Sequence, residues 1–303
     1  MDSKVAAETR AGVAGRKTGW VGAGKMGLPM ARNLLAAGIA VAVCEPNPAT
    51  LAMLSAEGAA TSADLSALDG ADLVFATLPD DAALRAVVAG LATRLPRGAV
   101  LVEMSTVSPE CSAEVAQILA NAGILYIRAP VSGSTALAEK GTLTVLASGD
   151  PQGWQTALPL ISLLSARQFW LGTGDEARYM KLVLNTLVGA SSAILAEAVS
   201  MGASGGLSRA AMMEVICESA VASPLFKYKA DLVVSEDYTP AFTIQQMIKD
   251  FTLISDAGRG NGVPMLTSGL ILELYRAAAN AGLQNEDFFA LVKWHSGISA
   301  QRG

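Results

Sequence analysis

The chain should fold as an α/β protein: a doubly wound sheet in the first half, an all-helical second half, and one long helix joining them. Three observations predict this. Short apolar runs alternate with helix-period segments in the first half, each run is apolar on both faces, and the alternation stops after Gly174. Strands covered by helices on two sides read as continuous apolar runs, and strand–helix–strand repetition argues for a parallel sheet.

The elements follow in order. Residues 1–16 read as a flexible tail: the segment up to Lys17 carries charges at both ends and lacks the apolar stretch of a secretory signal. Strands are expected at Gly19–Val21, Ala40–Val43, Leu73–Ala76, Val100–Val102 and Ile124–Ile127, each bounded by Gly, Asp or Pro. Thr142–Ala147 and Gln168–Leu171 look like two more. Asp175 to about Met201 reads as one proline-free helix, and helical periodicity continues past it, broken at Gly205-Gly206, Pro224, Pro240 and Pro264. The expected domains are 17–173 and 174–303. The longest charge-free helical stretch, Leu182–Ala196, is shorter than a bilayer needs and holds Asn185 and Thr186, so no membrane association is expected.

Composition narrows the function. The chain has 303 residues, 51% of them hydrophobic, and a net charge of −5 from 22 basic and 27 acidic residues. That suffices for two domains of about 150 residues each, and an acidic chain without a basic block is a poor nucleic-acid binder. The single histidine, His295, excludes a multi-histidine metal site, so no metal is expected. A Ser-His-Asp triad would have to use that residue, eight from the end; a structural role fits it better. Cys44, Cys111 and Cys217 have no C-x-x-C spacing, which reads as reduced thiols in a cytoplasmic protein.

Gly22-Ala23-Gly24-Lys25-Met26-Gly27 is G-x-G-x-x-G, directly after the first strand and opening a helix over Leu28–Ala37. In that context the pattern is a Rossmann dinucleotide site. Gly22 permits the tight turn, Gly24 lets the pyrophosphate approach the backbone, and Gly27 lets the helix pack close on the strand. The phosphates would meet the positive end of the helix dipole. Glu45 ends the second strand, 18 residues past Gly27. A carboxylate there can accept hydrogen bonds from both ribose hydroxyls and would repel a 2′-phosphate. From Asn33 to Leu84 there is no Lys or Arg to receive that phosphate. The expected cofactor is NAD(H) in preference to NADP(H).

Lys181 and Asn185 are four apart on the long helix and share one face. Carbonyl reduction leaves an alkoxide oxygen that needs a proton, which a neighbouring lysine can supply while stabilising the charge. Burial and a second cation, for which Lys249 is a candidate, would bring its pKa toward the working range. Asn185 can hold the lysine or the substrate oxygen. Pro130-Val131-Ser132-Gly133-Ser134 follows a strand end, where α/β sheets place ligands, and its hydroxyls and backbone N–H groups can bind a carboxylate. Glu197, mid-helix between alanines, reads as a helix-face acid.

These segments together resemble the β-hydroxyacid dehydrogenase family, which includes 3-hydroxyisobutyrate dehydrogenase and tartronate-semialdehyde reductase. The resemblance runs from Gly19 to Leu291. It is carried by Gly22–Leu34, Leu78-Pro79-Asp80-Asp81, Ser105-Thr106-Val107-Ser108-Pro109, Ala129-Pro130-Val131-Ser132-Gly133-Ser134, Lys181-Leu182-Val183-Leu184-Asn185 and Lys249-Asp250. Within the family, Ser223–Lys227 and Pro240-Ala241-Phe242 look most like the glyoxylate/succinic-semialdehyde reductase branch. That branch usually uses NADPH, from which Glu45 departs. Arg128 and Glu176 are further departures, both expected near the substrate pocket.

The resemblance implies Lys181 as the catalytic acid/base. It implies Ser132, Gly133, Ser134, Asn185, Phe242 and Asp250 at the substrate, a small carboxylate. It places Leu78 and Pro79 on the adenine-ribose side of the cofactor, with Ser105, Thr106 and Lys249 near the nicotinamide. For Phe242 a core role is a close alternative. The implied activity is interconversion of a small β-hydroxyacid and its semialdehyde, or reduction of glyoxylate or succinic semialdehyde. The implied assembly is a homodimer or homotetramer through the helical half. An imine reductase and a non-catalytic dinucleotide-binding scaffold are the alternatives. Imine reductases usually carry another residue at the Lys181 position, and scaffolds an apolar one. 6-Phosphogluconate dehydrogenase is disfavoured, because no His follows Lys181 in Lys-Leu-Val-Leu-Asn.

Overall fold

A computed structural model describes residues 15–300 of the chain. The expected tail over 1–16 therefore lies outside the described residues except for Gly15 and Arg16. The chain divides into two compact units, the first ending at Lys181 and the second beginning at Leu182. The division lies inside the long helix, eight residues past the expected boundary at 173. The helix's first residues count with the sheet because Ala177 and Arg178 are buried there.

In the first unit β1 (Thr18–Val21) leads into α1 (Gly27–Ala36), β2 (Val41–Cys44), α2 (Pro48–Ala56) and β3 (Ala60–Ser62). Then come β4 (Leu73–Ala76), α3 (Asp81–Leu91), β5 (Val100–Glu103), α4 (Pro109–Ala122) and β6 (Leu125–Arg128). The unit continues with β7 (Val131–Ser132), α5 (Thr135–Glu139), β8 (Leu143–Gly149), α6 (Pro151–Leu164) and β9 (Ser165–Gly172). The strand order is β3-β2-β1-β4-β5-β6-β8-β7, with β9 on β8. Pairing is parallel from β3 through β6, the Rossmann order. β8 then runs antiparallel to β6 and β7, so the sheet is mixed at that end. The strands β3 and β7, of three and two residues, are too short to show a period in the sequence.

The double-faced apolar runs have a direct structural meaning. Successive residues of a strand point to opposite faces. Trp20, Phe75, Val102 and Ile127 enter one core, while Val21, Val74, Leu101 and Tyr126 enter the other. Each fully buried large apolar side chain contributes about 1.5–3 kcal/mol. Helix starts are equally local. Asn47-Pro48, Ser108-Pro109, Asp150-Pro151 and Ser223-Pro224 each place a capping side chain before a proline at the first turn.

The second unit is helical: most of α7 (Glu176–Ser204), then α8 (Arg209–Glu218), α9 (Pro224–Ser235), α10 (Ile244–Gly260), α11 (Leu266–Ala278) and α12 (Leu291–Ala300). Its core gathers Leu195, Val199, Met213, Met247, Phe251, Tyr275 and Phe289. By length and composition α7 could cross a bilayer, with a mean hydropathy of 1.7 over its most apolar window. That is longer than the charge-free stretch suggested. However, 44% of that window is buried in the fold, and Ser192 within it donates to Phe288 O at 2.9 Å.

Candidate active site

The glycine-rich turn is built by steric need. Gly22 has φ +81°, and a Cβ there would lie 2.2 Å from Thr77 O. A Cβ on Gly27 would lie 2.1 Å from Gly22 O and 2.3 Å from Thr77 Oγ1. Gly24 differs: among the described residues nothing lies within 4 Å of the place its Cβ would take. Gly24 and Lys25 are exposed and Ala23 is buried. Helix α1 starts directly after Met26, among the described residues no side chain caps it, and Leu28 N donates to Gly24 O at 2.9 Å. These features fit a dinucleotide pyrophosphate.

Two residues that sequence reasoning missed brace this turn. Trp20 Nε1 donates to Gly22 O and to Thr77 Oγ1, both at 3.1 Å, and Thr77 Oγ1 in turn donates to Gly22 O. Thr77 directly follows β4, so the loops after β1 and β4 are tied together where the strand order reverses, the place such sheets bind ligands. No local pattern marks a threonine whose partner lies 55 positions away.

Glu45 is 8% exposed. Its Oε2 accepts from Ala23 N at 2.7 Å and its Oε1 from Asn47 N at 3.0 Å. The carboxylate expected to meet a ribose thus also holds the glycine loop.

Leu78 is half-buried and Pro79 exposed after β4. Leu78 N donates to Ser105 Oγ at 2.6 Å, which joins the loops after β4 and β5. Glu103 Oε1 accepts from Ser105 N at 2.7 Å, and Arg178 Nη1 donates to Ser105 O at 2.9 Å. Thr106 follows, half-buried. Parallel pairing therefore collects Gly22, Ala23, Gly24, Lys25, Met26, Gly27, Glu45, Leu78, Pro79 and Thr106 along one edge of the sheet.

The carboxylate-binding candidates follow β6 at the same edge. Ser132 ends β7, Gly133 has φ +138°, and Ser134 stands at the N-cap of α5. A Cβ on Gly133 would lie 2.7 Å from Leu143 Cδ2, so both space and backbone angle demand glycine.

Arg128 and Glu176 were expected near a substrate, but the structure gives both local partners. Arg128 is buried, and its Nε lies 2.5 Å from Asp175 Oδ1 and 3.2 Å from Ser112 Oγ. Glu176 is exposed and its Oε2 accepts from Gly174 N at 2.8 Å. Arg178 is fully buried. Burial alone would lower its pKa, but Glu103 and the Tyr126 hydroxyl reverse that and push it up, so it stays charged. Tyr126 is pushed up by its own burial.

Lys181, half-buried, lies one turn beyond Arg178 on α7, and Asn185 one turn further. In the helical unit Asn185 Nδ2 donates to Asp250 Oδ2 at 2.5 Å. Lys249 Nζ lies 3.1 Å from Asp250 Oδ1. The structure thus joins three sequence-predicted residues, with Asp250, 1% exposed, at the centre. Asp250 accepts from Asn185 through one oxygen and is ion-paired with Lys249 through the other. Phe242 is half-buried and meets Phe288 edge-to-face at 6.2 Å, so it also packs on the core of this unit. His295 Nδ1 pairs with Ser200 Oγ at 2.9 Å, a structural contact.

Comparison with known proteins agrees with this fold. Residues 17–172 match the family model described as the NAD binding domain of 6-phosphogluconate dehydrogenase. Residues 175–295 match the model for the NAD-binding region of NADP-dependent 3-hydroxyisobutyrate dehydrogenase. The chain is 32% identical over 295 residues to 2-(hydroxymethyl)glutarate dehydrogenase of Eubacterium barkeri, covering 95% of this chain and 98% of that one. The chain belongs to the 3-hydroxyisobutyrate dehydrogenase-like β-hydroxyacid dehydrogenase family.

Glyoxylate/succinic semialdehyde reductase 2 of Arabidopsis thaliana is 30% identical over 285 residues, 91% of this chain and 78% of that one. The crystal structure of 3-hydroxyisobutyrate dehydrogenase from Salmonella typhimurium superimposes with a TM-score of 0.84 at 29% identity, covering 92% and 99% of the two chains. An imine reductase from Pseudomonas sp. shares the fold at a TM-score of 0.59 and 23% identity, covering 92% and 98%. As a member of this β-hydroxyacid dehydrogenase family, the protein is a nicotinamide-dinucleotide-dependent oxidoreductase.

Proposed function

We propose that this dehydrogenase interconverts a small β-hydroxyacid and its semialdehyde, or reduces glyoxylate or succinic semialdehyde, preferring NAD(H), with Lys181 as the general acid/base. The observation that carries the reading is the placement of Lys181 on α7, one turn after Arg178 ties that helix to the Ser105–Thr106 loop. A nicotinamide held at this site would supply hydride to the carbonyl carbon, or accept it in the oxidative direction. As the carbonyl becomes an alkoxide, Lys181 Nζ gives its proton to the oxygen; in oxidation it takes the hydroxyl proton. Asn185, with its amide nitrogen committed to Asp250, offers its carbonyl oxygen to the ammonium on the next turn. Ser132, Gly133 and Ser134 bind the substrate carboxylate through hydroxyls and backbone N–H groups, and Phe242 is a further substrate contact implied by the family resemblance. Gly22 to Gly27 hold the pyrophosphate. Leu78, Pro79 and Thr106 line the cofactor groove, and Lys249 is a further cofactor contact implied by the family resemblance.

The cofactor preference rests on Glu45. Both its oxygens already accept backbone N–H bonds, so the carboxylate cannot swing aside for a 2′-phosphate without releasing the glycine loop. Its remaining lone pairs suit the ribose hydroxyls. A hydrogen bond to a charged group contributes about 1.5–3 kcal/mol, which sets a preference of about tenfold or more in kcat/KM for NADH over NADPH. Comparable kcat/KM with both would overturn the preference. A panel of semialdehydes, glyoxylate, hydroxyacids and cyclic imines, assayed with both cofactors, identifies the substrate and sets imine reduction against carbonyl reduction.

We further infer a homodimer or homotetramer in the cytoplasm. Val183, Leu187, Ile194 and Met201 lie exposed on α7 at spacings of four and seven, an apolar stripe that a second copy would cover. The three free cysteines suit a reducing compartment.

A further inference from the structure

Arg178 and Glu103 sit in a buried polar cluster that the proposed chemistry does not use directly. Arg178 is 1% exposed and Glu103 is 0% exposed. Arg178 spends its donors on four separate pieces of the first unit. Nη2 reaches Glu103 at the end of β5 and the Tyr126 hydroxyl on β6, the latter at 2.9 Å. Nη1 reaches Ser105 O, and Nε reaches Ser112 Oγ on α4 at 3.3 Å. Glu103 in turn receives Ser105 N. Ser112 Oγ also donates to Asp175 Oδ1 at 2.6 Å, and Arg128 Nε is bonded to both.

The pattern is unlike that of a device for stability alone. A buried ion pair loses much of its Coulomb gain to desolvation, and apolar packing usually does as well. What the pair supplies is geometry. One anchored point leaves a helix free to rotate about its axis. Asp175 and Arg178, three residues apart, give two anchored points at the start of α7, which fix both its depth and its rotation. Lys181 is the next residue on that face, about 4.5 Å further along the axis. Through Ser105 N and O, the same two charges hold the backbone before Thr106.

We propose that Arg178, with Glu103, is a positioning residue that sets the Lys181 amine against the Ser105–Thr106 loop. This rests on the reading of Lys181 as the proton donor. A lysine at 178 would keep the charge but could not reach Glu103, Ser105 O and Tyr126 together, because it lacks the planar fork.

The test is R178K, measured for NADH affinity by fluorescence titration and for kcat, alone and combined with K181A. The expected result is a fall in kcat of about tenfold to a hundredfold with NADH affinity held within about twofold, as for a group misplaced by an ångström. In the K181A background, followed at high enzyme concentration, R178K should cost under about threefold, since no amine is left to position. The proposal is overturned if R178K keeps kcat within about threefold, if NADH affinity falls in parallel with kcat, or if the loss is the same without Lys181. An active K181A would overturn the proton-donor reading and this one with it. An inactive K181A beside an unimpaired R178K would overturn the positioning alone. Should R178K fail to fold, E103Q/R178Q, which removes both charges, replaces it under the same criteria.

Discussion

Glu45 answers two demands with one side chain, since it closes the glycine loop and, in the proposed function, meets the ribose. Its removal should therefore loosen the glycine loop for both cofactors and cost NADH more than NADPH: E45A is expected to weaken NADH binding and shrink the preference, checked by titrating each. Lys181 makes the opposite kind of demand. K181A should lower kcat by about 10²–10⁴-fold, the usual value of a placed proton donor, with NADH binding retained in the same titration. The cysteines show what burial does to reactivity. Cys111 is pushed up to about 11, first by burial and then by nearby Asp81, so at pH 8 it is almost entirely the unreactive thiol. Cys44 is buried and raised in the same direction. In the native protein a thiol-disulfide reagent at pH 8 should label the half-buried Cys217 first. Faster labelling of Cys111 would contradict the burial.

Among the elements, α7 and α10 cross so closely that Gly189 is required. A Cβ there would lie 2.2 Å from Phe251 Cε2 and 3.0 Å from Met247 Sδ. Phe251 is fully buried beside Tyr275 and has nowhere to retreat. Alanine favours a helix over glycine by about 1 kcal/mol, but overpacking a filled core costs about 1–3 kcal/mol. G189A should therefore lower the urea midpoint despite the better helix former, and a raised midpoint would show that the crossing can yield. Helix starts, in contrast, are fixed by neighbouring residues. Asn47-Pro48, Ser108-Pro109 and Asp150-Pro151 carry their caps in adjacent positions. The capping box of Thr243 and Gln246 spans only three.

Over the whole molecule, the buried acids predict a weakness at alkaline pH. Burial raises Cys111 to about 11 and Tyr238 to about 12, and pushes Tyr126 and Tyr275 upward too. In the unfolded chain these groups lose protons near their ordinary values of 9.0 and 10.0. Between those values and the folded ones, only the unfolded state gains from ionising. Stability should be full below about pH 9 and fall as pH rises toward 12. Thermal denaturation between pH 8 and 10.5 measures this, and a Tm flat across that range would refute it. The apolar stripe on α7 gives the other prediction at this scale. L187E/I194E should convert an oligomer to monomers in light scattering after size exclusion, while wild type that is already monomeric would end the assembly proposal.

The sequence alone was enough for the alternation of strand and helix, the glycine turn, the acid at the end of β2 and the Lys181–Asn185 pair. Each of these is a local pattern: a period of two or 3.6, or a fixed spacing within one element. Only the tertiary structure decided which side chains hold those features in place. Thr77 reaches Gly22 across 55 positions, Arg178 reaches Glu103 across 75, and Asp250 reaches Asn185 across 65. It also gave Arg128, a departure from the family pattern expected near the substrate pocket, its partner Asp175. A lone charge in a sequence does not reveal its partner, because pairing depends on which strands and helices the folded chain brings side by side.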